Sequence, residues 1–147
     1  MKHLQIEQNL FIENRQKLVS RLKPNSIAVF NSNDIMPTSA DGTYPFIQQT
    51  DLFYLSGIDQ EETRLILFPD AREKKHKEIL FLRETNEQIA TWEGHKYTKE
   101  EATKTSGVKT IYWNKEFETI FKTLVFEADN IYLNTNEHLR ANVPFES

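Results

Sequence analysis

The sequence contains no cysteine, which excludes a disulfide scaffold, a Cys-ligated zinc site and a thiol nucleophile. Glycine is almost as scarce. Four glycines in 147 residues cannot build a phosphate-cradling loop, and neither a dinucleotide fingerprint nor a nucleophile-elbow pattern occurs. No stretch approaches the ~18 consecutive apolar residues of a membrane helix. The opening residues, Met1-Lys2-His3-Leu4-Gln5-Ile6-Glu7, are polar and amphipathic rather than leader-like. The expectation is a cytoplasmic protein with no membrane partner. An excess of positive charge is also missing: 18 basic against 22 acidic side chains give a formal net charge of −4. Nucleic-acid binding draws on phosphate neutralisation by a basic face, so no nucleic-acid partner is expected. The densest basic stretch, Arg72-Glu73-Lys74-Lys75-His76-Lys77-Glu78, is interrupted and closed by glutamates and reads as a solvated turn.

What is present suits one domain of ordinary size with a core of its own. Residues 4–22 place Leu4, Phe11, Leu18 and Leu22 at helical spacing, with Glu7, Asn14, Arg15 and Lys17 on the other face, and Pro24 ends the helix. Ser26 to Phe30 is a short apolar run rich in strand formers, and Asn31 to Pro45 an aperiodic loop. Leu52 to Leu55, Thr63 to Phe68 and Glu78 to Leu82 read as strands joined by links too short for a crossover helix, hence an antiparallel meander. A capping box at Thr98-Lys99-Glu100-Glu101 opens a helix over 98–106 that Gly107 closes. Thr110 to Trp113 is a strand, Glu116 to Phe126 a helix with Phe117, Ile120, Phe121, Leu124 and Val125 inward, and Asn130 to Leu133 a last strand. This order predicts an α/β fold, a mixed sheet flanked by helices on both faces.

The residues do not assemble a self-contained active site. His3, His76, His95 and His138 are scattered, with no pair at the spacing of a helical metal site; His76 and His138, in charged surroundings, read as surface residues. Asp59, Glu61 and Glu62 read as a solvated turn after Gly57, while Asp41 and Asp51, flanking the long loop, are better placed for a site; Asp51 equally suits a role anchoring loop backbone. Two stretches stand out: the aromatic run from Tyr44-Pro45-Phe46 to Phe53-Tyr54-Leu55-Ser56-Gly57, and Ala90-Thr91-Trp92-Glu93-Gly94-His95-Lys96. Trp92 suits either the core or a displayed anchor for a substrate or partner.

The order Ser39-Ala40-Asp41, Tyr44-Pro45-Phe46, Gln48, Asp51, Phe53-Tyr54-Leu55-Ser56-Gly57, Leu65-Ile66-Leu67, Leu80-Phe81 and Trp92-Glu93-Gly94 resembles the N-terminal domain of Xaa-Pro aminopeptidases (aminopeptidase P), of the creatinase and prolidase N-terminal type and ribonuclease H-like in outline. The resemblance implies that residues 1–134 form this domain and that 135–147 begin a linker to a C-terminal metallopeptidase domain outside this sequence. It implies two divalent metals, manganese, in that other domain, and no catalytic residue, metal ligand or cofactor here. The partners it implies are the catalytic domain, further copies in a homo-oligomer, and a peptide with proline at its second position. It places Trp92 and Asp41 at the substrate entrance, Trp92 reaching a neighbouring subunit. Ile47 stands where the family commonly has arginine, so any polar contact of that arginine is lost.

Two other readings remain open. One is a free-standing module that binds a ligand or protein through the aromatic loop from Tyr44 to Tyr54, without peptidase activity. The other is an enzyme in its own right, such as a nuclease, against which the acidic balance and the lack of a metal-holding carboxylate pattern both argue.

Overall fold

The structure, a computed structural model, describes residues 2–32, 50–85 and 96–133, with side chains from 8 and from 51 in the first two segments. Its elements are α1 (Lys2–Val19), β1 (Ser26–Asn31), α2 (Thr50–Ser56), β2 (Arg64–Leu67), β3 (Glu78–Leu82), α3 (Lys99–Ser106), β4 (Thr110–Trp113), α4 (Phe117–Val125) and β5 (Asn130–Leu133). The expected linker at 135–147 and most of the expected loop at 31–45 lie outside the described residues.

The strands form one mixed sheet in the order β4-β3-β2-β1-β5. β2 pairs antiparallel with both β1 and β3, while β5 runs parallel to β1 and β4 parallel to β3. Four strands therefore point one way and β2 the other. The central strands are buried on both faces, so their sequences are nearly unbroken apolar runs rather than alternating ones. Alternation nevertheless sorts their side chains. Ala28, Phe30, Leu65, Leu67, Leu80 and Leu82 face Leu52, Leu55 and Ile58 from α2 and its exit, and Ala102 and Val108 from α3 and its exit. Ile27, Val29, Ile66, Phe68, Ile79 and Phe81 face Leu124, with Phe117, Ile120 and Phe121 packed alongside. α4 thus covers the second face as the chain crosses from edge strand β4 to the opposite edge, β5. The expected sheet with helices on both faces is what forms.

The first strand of the meander is β1, not the expected 52–55, because Leu52 to Leu55 lies in α2. An apolar run of four residues fits a buried strand or a helical turn equally well. Burial decides it: Leu52 and Leu55, three apart, are buried, while Phe53 and Tyr54 between them are half exposed. Asp51 accordingly stands exposed in the first turn of a helix, where a carboxylate meets free amide ends, rather than ahead of a strand.

The face of α1 also differs from expectation. Asn14 and Arg15, assigned to solvent, are buried, whereas Leu10 is half exposed. The buried stripe is Phe11, Asn14 and Arg15, continued by the partly buried Leu18, because α1 lies across the carboxyl ends of two other helices whose last carbonyls have no partner within their own helix. At the end of α2, Asn14 Nδ2 donates to the Tyr54 carbonyl at 2.8 Å and Arg15 Nη1 to the Leu55 carbonyl at 2.8 Å. At the end of α3, Gln8 Nε2 donates to the Thr103 and Lys104 carbonyls at 3.2 and 3.1 Å. Arg15 Nε also meets Glu78 Oε2 of β3 at 3.1 Å, tying helix, helix and sheet together.

The two capped helices end alike. Ser56 Oγ donates to Leu52 O and accepts from Ile58 N; Ser106 Oγ donates to Ala102 O and accepts from Val108 N. Between them stand Gly57 and Gly107, at φ 73° and 83°, the left-handed conformation that glycine adopts without strain. At its start α3 is closed by the expected capping box: Glu101 N donates to Thr98 Oγ1 at 3.1 Å and Thr98 N to Glu101 Oε1 at 2.9 Å. Thr98→Ala removes an acceptor for an amide that has no helical partner and is expected to cost about 1 kcal/mol. Urea unfolding checks the cost. Hydrogen exchange should accelerate at 99–101 while the amides of β3 stay protected.

The stretch from Arg72 to Glu78 forms a surface turn with one short 3-10 segment, Lys74–His76, as its charge pattern implies. His76 departs from the expected surface placement. Its side chain is 16% exposed, with Nδ1 at 3.7 Å from Glu73 Oε2. His95 and His138 lie outside the described residues.

Candidate functional site

The carboxyl ends of β1, β3, β4 and β5 lie at one end of the sheet, together with the start of β2. In sheets of this kind, crevices outside the carboxyl ends of parallel strands are where ligands bind. The two stretches outside the described residues, 33–49 and 86–95, are entered from this end of the sheet: residue 33 follows the end of β1 and residue 86 follows β3 by a few positions. Asp41 and Trp92, the two residues assigned to a substrate entrance, lie within those stretches and outside the described residues, as does Ile47. What the structure describes is how the stretches are rooted.

Both roots are fastened to one turn, Gln60-Glu61-Glu62-Thr63, which leads into β2. Ser32 N donates to the Thr63 carbonyl at 2.9 Å, and Thr63 N returns a bond to Ser32 Oγ at 3.0 Å. Thr63 Oγ1 donates to the Gln60 carbonyl at 2.7 Å, closing the turn on itself. On the other side, Tyr97 N donates to Gln60 Oε1 at 2.9 Å and Lys96 Nζ meets Glu61 Oε1 at 3.2 Å. Gln60 and Thr63 are buried, so these bonds satisfy groups that water does not reach. Glu62 sits between them at φ 58°, a conformation uncommon outside glycine, and its carbonyl accepts from Asn114 Nδ2.

Around this turn the rim is a set of opposite charges. Glu62 lies 3.8 Å from Arg83, Glu84 lies 3.4 Å from Lys115, and Arg64 donates to Asn31 Oδ1 at 3.1 Å while its guanidinium covers the Phe117 ring at 4.4 Å. Lys99 lies over the Trp113 ring at 4.9 Å. Each of the three glutamates, Glu61, Glu62 and Glu84, stands beside a cation. The acidic turn read from sequence as merely solvated is thus the fastening point of this end of the sheet. The signal for it lay in residues scattered over the chain, Ser32, Lys96, Tyr97 and Asn114, which no local pattern connects. Among the described residues, no three His, Asp or Glu side chains come together in a group that could hold a metal ion. No helix of the described residues is long and apolar enough to cross a membrane.

Comparison with known proteins adds to this geometry. The family model described as "Aminopeptidase P, N-terminal domain" matches residues 11–132. A Xaa-Pro aminopeptidase from Haemophilus influenzae is 29% identical over 122 residues, covering 83% of this chain and 28% of that protein. The Xaa-Pro aminopeptidase of Escherichia coli is 27% identical over 139 residues, covering 95% of this chain and 31% of that protein. The solved structure of aminopeptidase P from E. coli in its low-pH form superposes with a TM-score of 0.73 at 26% identity, covering 91% of this chain and 30% of that one. The chain therefore spans less than a third of the length of these relatives.

Proposed function

Because this chain belongs to the aminopeptidase P N-terminal domain family, we propose that it serves as the non-catalytic half of a peptidase that releases an N-terminal residue preceding proline. In this reading the chemistry belongs to a C-terminal catalytic domain holding two divalent metals, manganese, which lower the pKa of a bound water and polarise the scissile carbonyl. The present chain contributes the approach to that site and contacts between subunits. Asp41 and Trp92 stand at the substrate entrance, the indole offering a flat face to the residue beyond the proline.

The single observation that carries the proposal is the common anchoring of both stretches. The residue before the segment containing Asp41 and the residues after the segment containing Trp92 are held by the same turn, through its buried residues Gln60 and Thr63, at the carboxyl end of the sheet. A side chain that borders a substrate path without touching the reacting atoms affects binding more than turnover. The test uses the purified chain and, beside it, a protein in which the same domain is joined to its catalytic part. The chain alone should release no amino acid from an Xaa-Pro peptide with manganese added; turnover that survives stringent purification overturns the reading. In the joined protein, Trp92→Ala should raise KM for peptides extending past the proline about tenfold, with kcat nearly unchanged. Equal loss for dipeptides and longer peptides would remove Trp92 from the entrance.

A further inference from the structure

At the opposite end of the sheet, where β3 and β4 begin, the surface carries a groove of about 730 Å³. Its walls come from three separate places in the sequence: the β2–β3 turn with Pro69, Lys74, Lys75 and Lys77, the last turn of α1 with Val19, and the α3–β4 connection with Lys109. The basic stretch visible in the sequence thus supplies only one bank. Lys109, far along the chain, faces it from the other.

The balance of charge in the groove is unusual for this molecule. Four lysines line it in a chain whose formal net charge is −4. The one carboxylate among the described lining residues, Glu78, is already engaged by Arg15 at 3.1 Å. Lys75 also lies 3.6 Å from the exposed Glu73, whereas Lys74, Lys77 and Lys109 make no ion pair among the described residues. Like charges gathered on two banks repel one another, and an anion between them relieves that repulsion.

We propose that this groove binds a short acidic peptide segment, lying between the two lysine banks with its carboxylates paired to them and its backbone over Val19 and Pro69. Three features choose this ligand class. Lysines on flexible stems present separate point charges, which suit carboxylates spaced along an extended chain; a single phosphate is better held by a convergent fork of arginine or backbone amides. Among the described residues no arginine lines the groove. Among the described residues no aromatic side chain lines it either, so the described walls offer no stacking platform of the kind used for single-stranded nucleic acids. The apolar side chains of Val19 and Pro69 in its walls favour a ligand with carbon surface of its own.

The assignment is independent of the peptidase reading, since it concerns the other end of the sheet. It is tested on the 147-residue chain with a hexaglutamate peptide, followed by NMR titration of the backbone amides. The expected result is saturable binding with shifts concentrated at 74–78 and 107–110, weakening steeply as salt rises. Combining Lys74→Gln with Lys109→Gln, one change on each bank, should weaken binding about tenfold, while Lys122→Gln on the outer face of α4 leaves it unchanged. Both lysines extend from surface turns, and an unchanged thermal midpoint verifies that the variants fold. Shifts spread evenly over the surface lysines, the absence of saturation, or tighter binding of inorganic phosphate or an oligonucleotide at the same residues would overturn the assignment.

Discussion

Arg15→Ala is expected to lower the unfolding free energy by about 3–5 kcal/mol, a large share of the stability of a domain this size. Arg15 is 1% exposed and is held by two different partners, the Leu55 carbonyl through Nη1 and the Glu78 carboxylate through Nε. These partners differ in what they lose. Glu78 is 36% exposed and can be rehydrated, so its share resembles that of a surface ion pair, about 1 kcal/mol or less. The Leu55 carbonyl belongs to a buried residue at the last turn of α2 and has no replacement donor inside its helix. Loss of the packed aliphatic stem adds to the cost.

The account therefore predicts an ordering. Glu78→Gln should cost about 1 kcal/mol, Arg15→Lys about 2, because one ammonium cannot reach both partners in the geometry of the guanidinium fork, and Arg15→Ala the most. Urea unfolding followed by circular dichroism measures all three on one scale. If Glu78→Gln proves as costly as Arg15→Ala, the ion pair dominates and the capping of α2 by α1 is not what holds these elements together.

The same contact explains where sequence reasoning succeeded and where it did not. β3, β4 and β5 and the start and stop of α3 were legible because their signals are local: a β-branched or aromatic run, a capping box, a glycine at the helix exit. The orientation of α1 was not, since hydropathy assigns asparagine and arginine to water. Only the tertiary placement of the ends of α2 and α3 against that face makes polar side chains its buried stripe. The helical state of 52–55 was in fact marked. Leu52 to Ile58 repeats the ending of α3, a serine four residues after a buried side chain, then glycine, then a branched aliphatic residue, as in Ala102 to Val108. Gly107, at the end of a capped run, reads directly as a helix stop, while Gly57, followed by an acidic stretch, reads as the start of a turn, although the two follow the same pattern. Of the candidate site, the types of residue in the Gln60–Thr63 turn were visible but not their partners, which come from positions 32, 96, 97 and 114.

That shared ending leads to the second large effect. Gly57→Ala should destabilise the chain by about 2–4 kcal/mol, combining the strain of a left-handed backbone with overpacking. At φ 73° an L side chain is strained wherever it stands. In addition, a Cβ on residue 57 would overlap the ring of Phe11, which is buried and packs edge-on against Phe53 with ring centres 5.9 Å apart. A ring fixed in this way cannot yield as a flexible chain end does. Gly107 offers the comparison. Its φ is similar, at 83°, but its Cβ would meet the Cδ1 and Cγ1 atoms of Ile12, each at 2.7 Å, and a rotation of that side chain relieves part of the overlap. Gly107→Ala is therefore expected to cost only about 1–2 kcal/mol. The decisive measurement is the double variant Gly57→Ala with Phe11→Leu. If the ring is the obstacle, the pair is less destabilised than the sum of the two single changes by about 1 kcal/mol or more. Strict additivity would mean that backbone strain alone sets the cost, and that α1 and the end of α2 are not packed as closely as the structure places them.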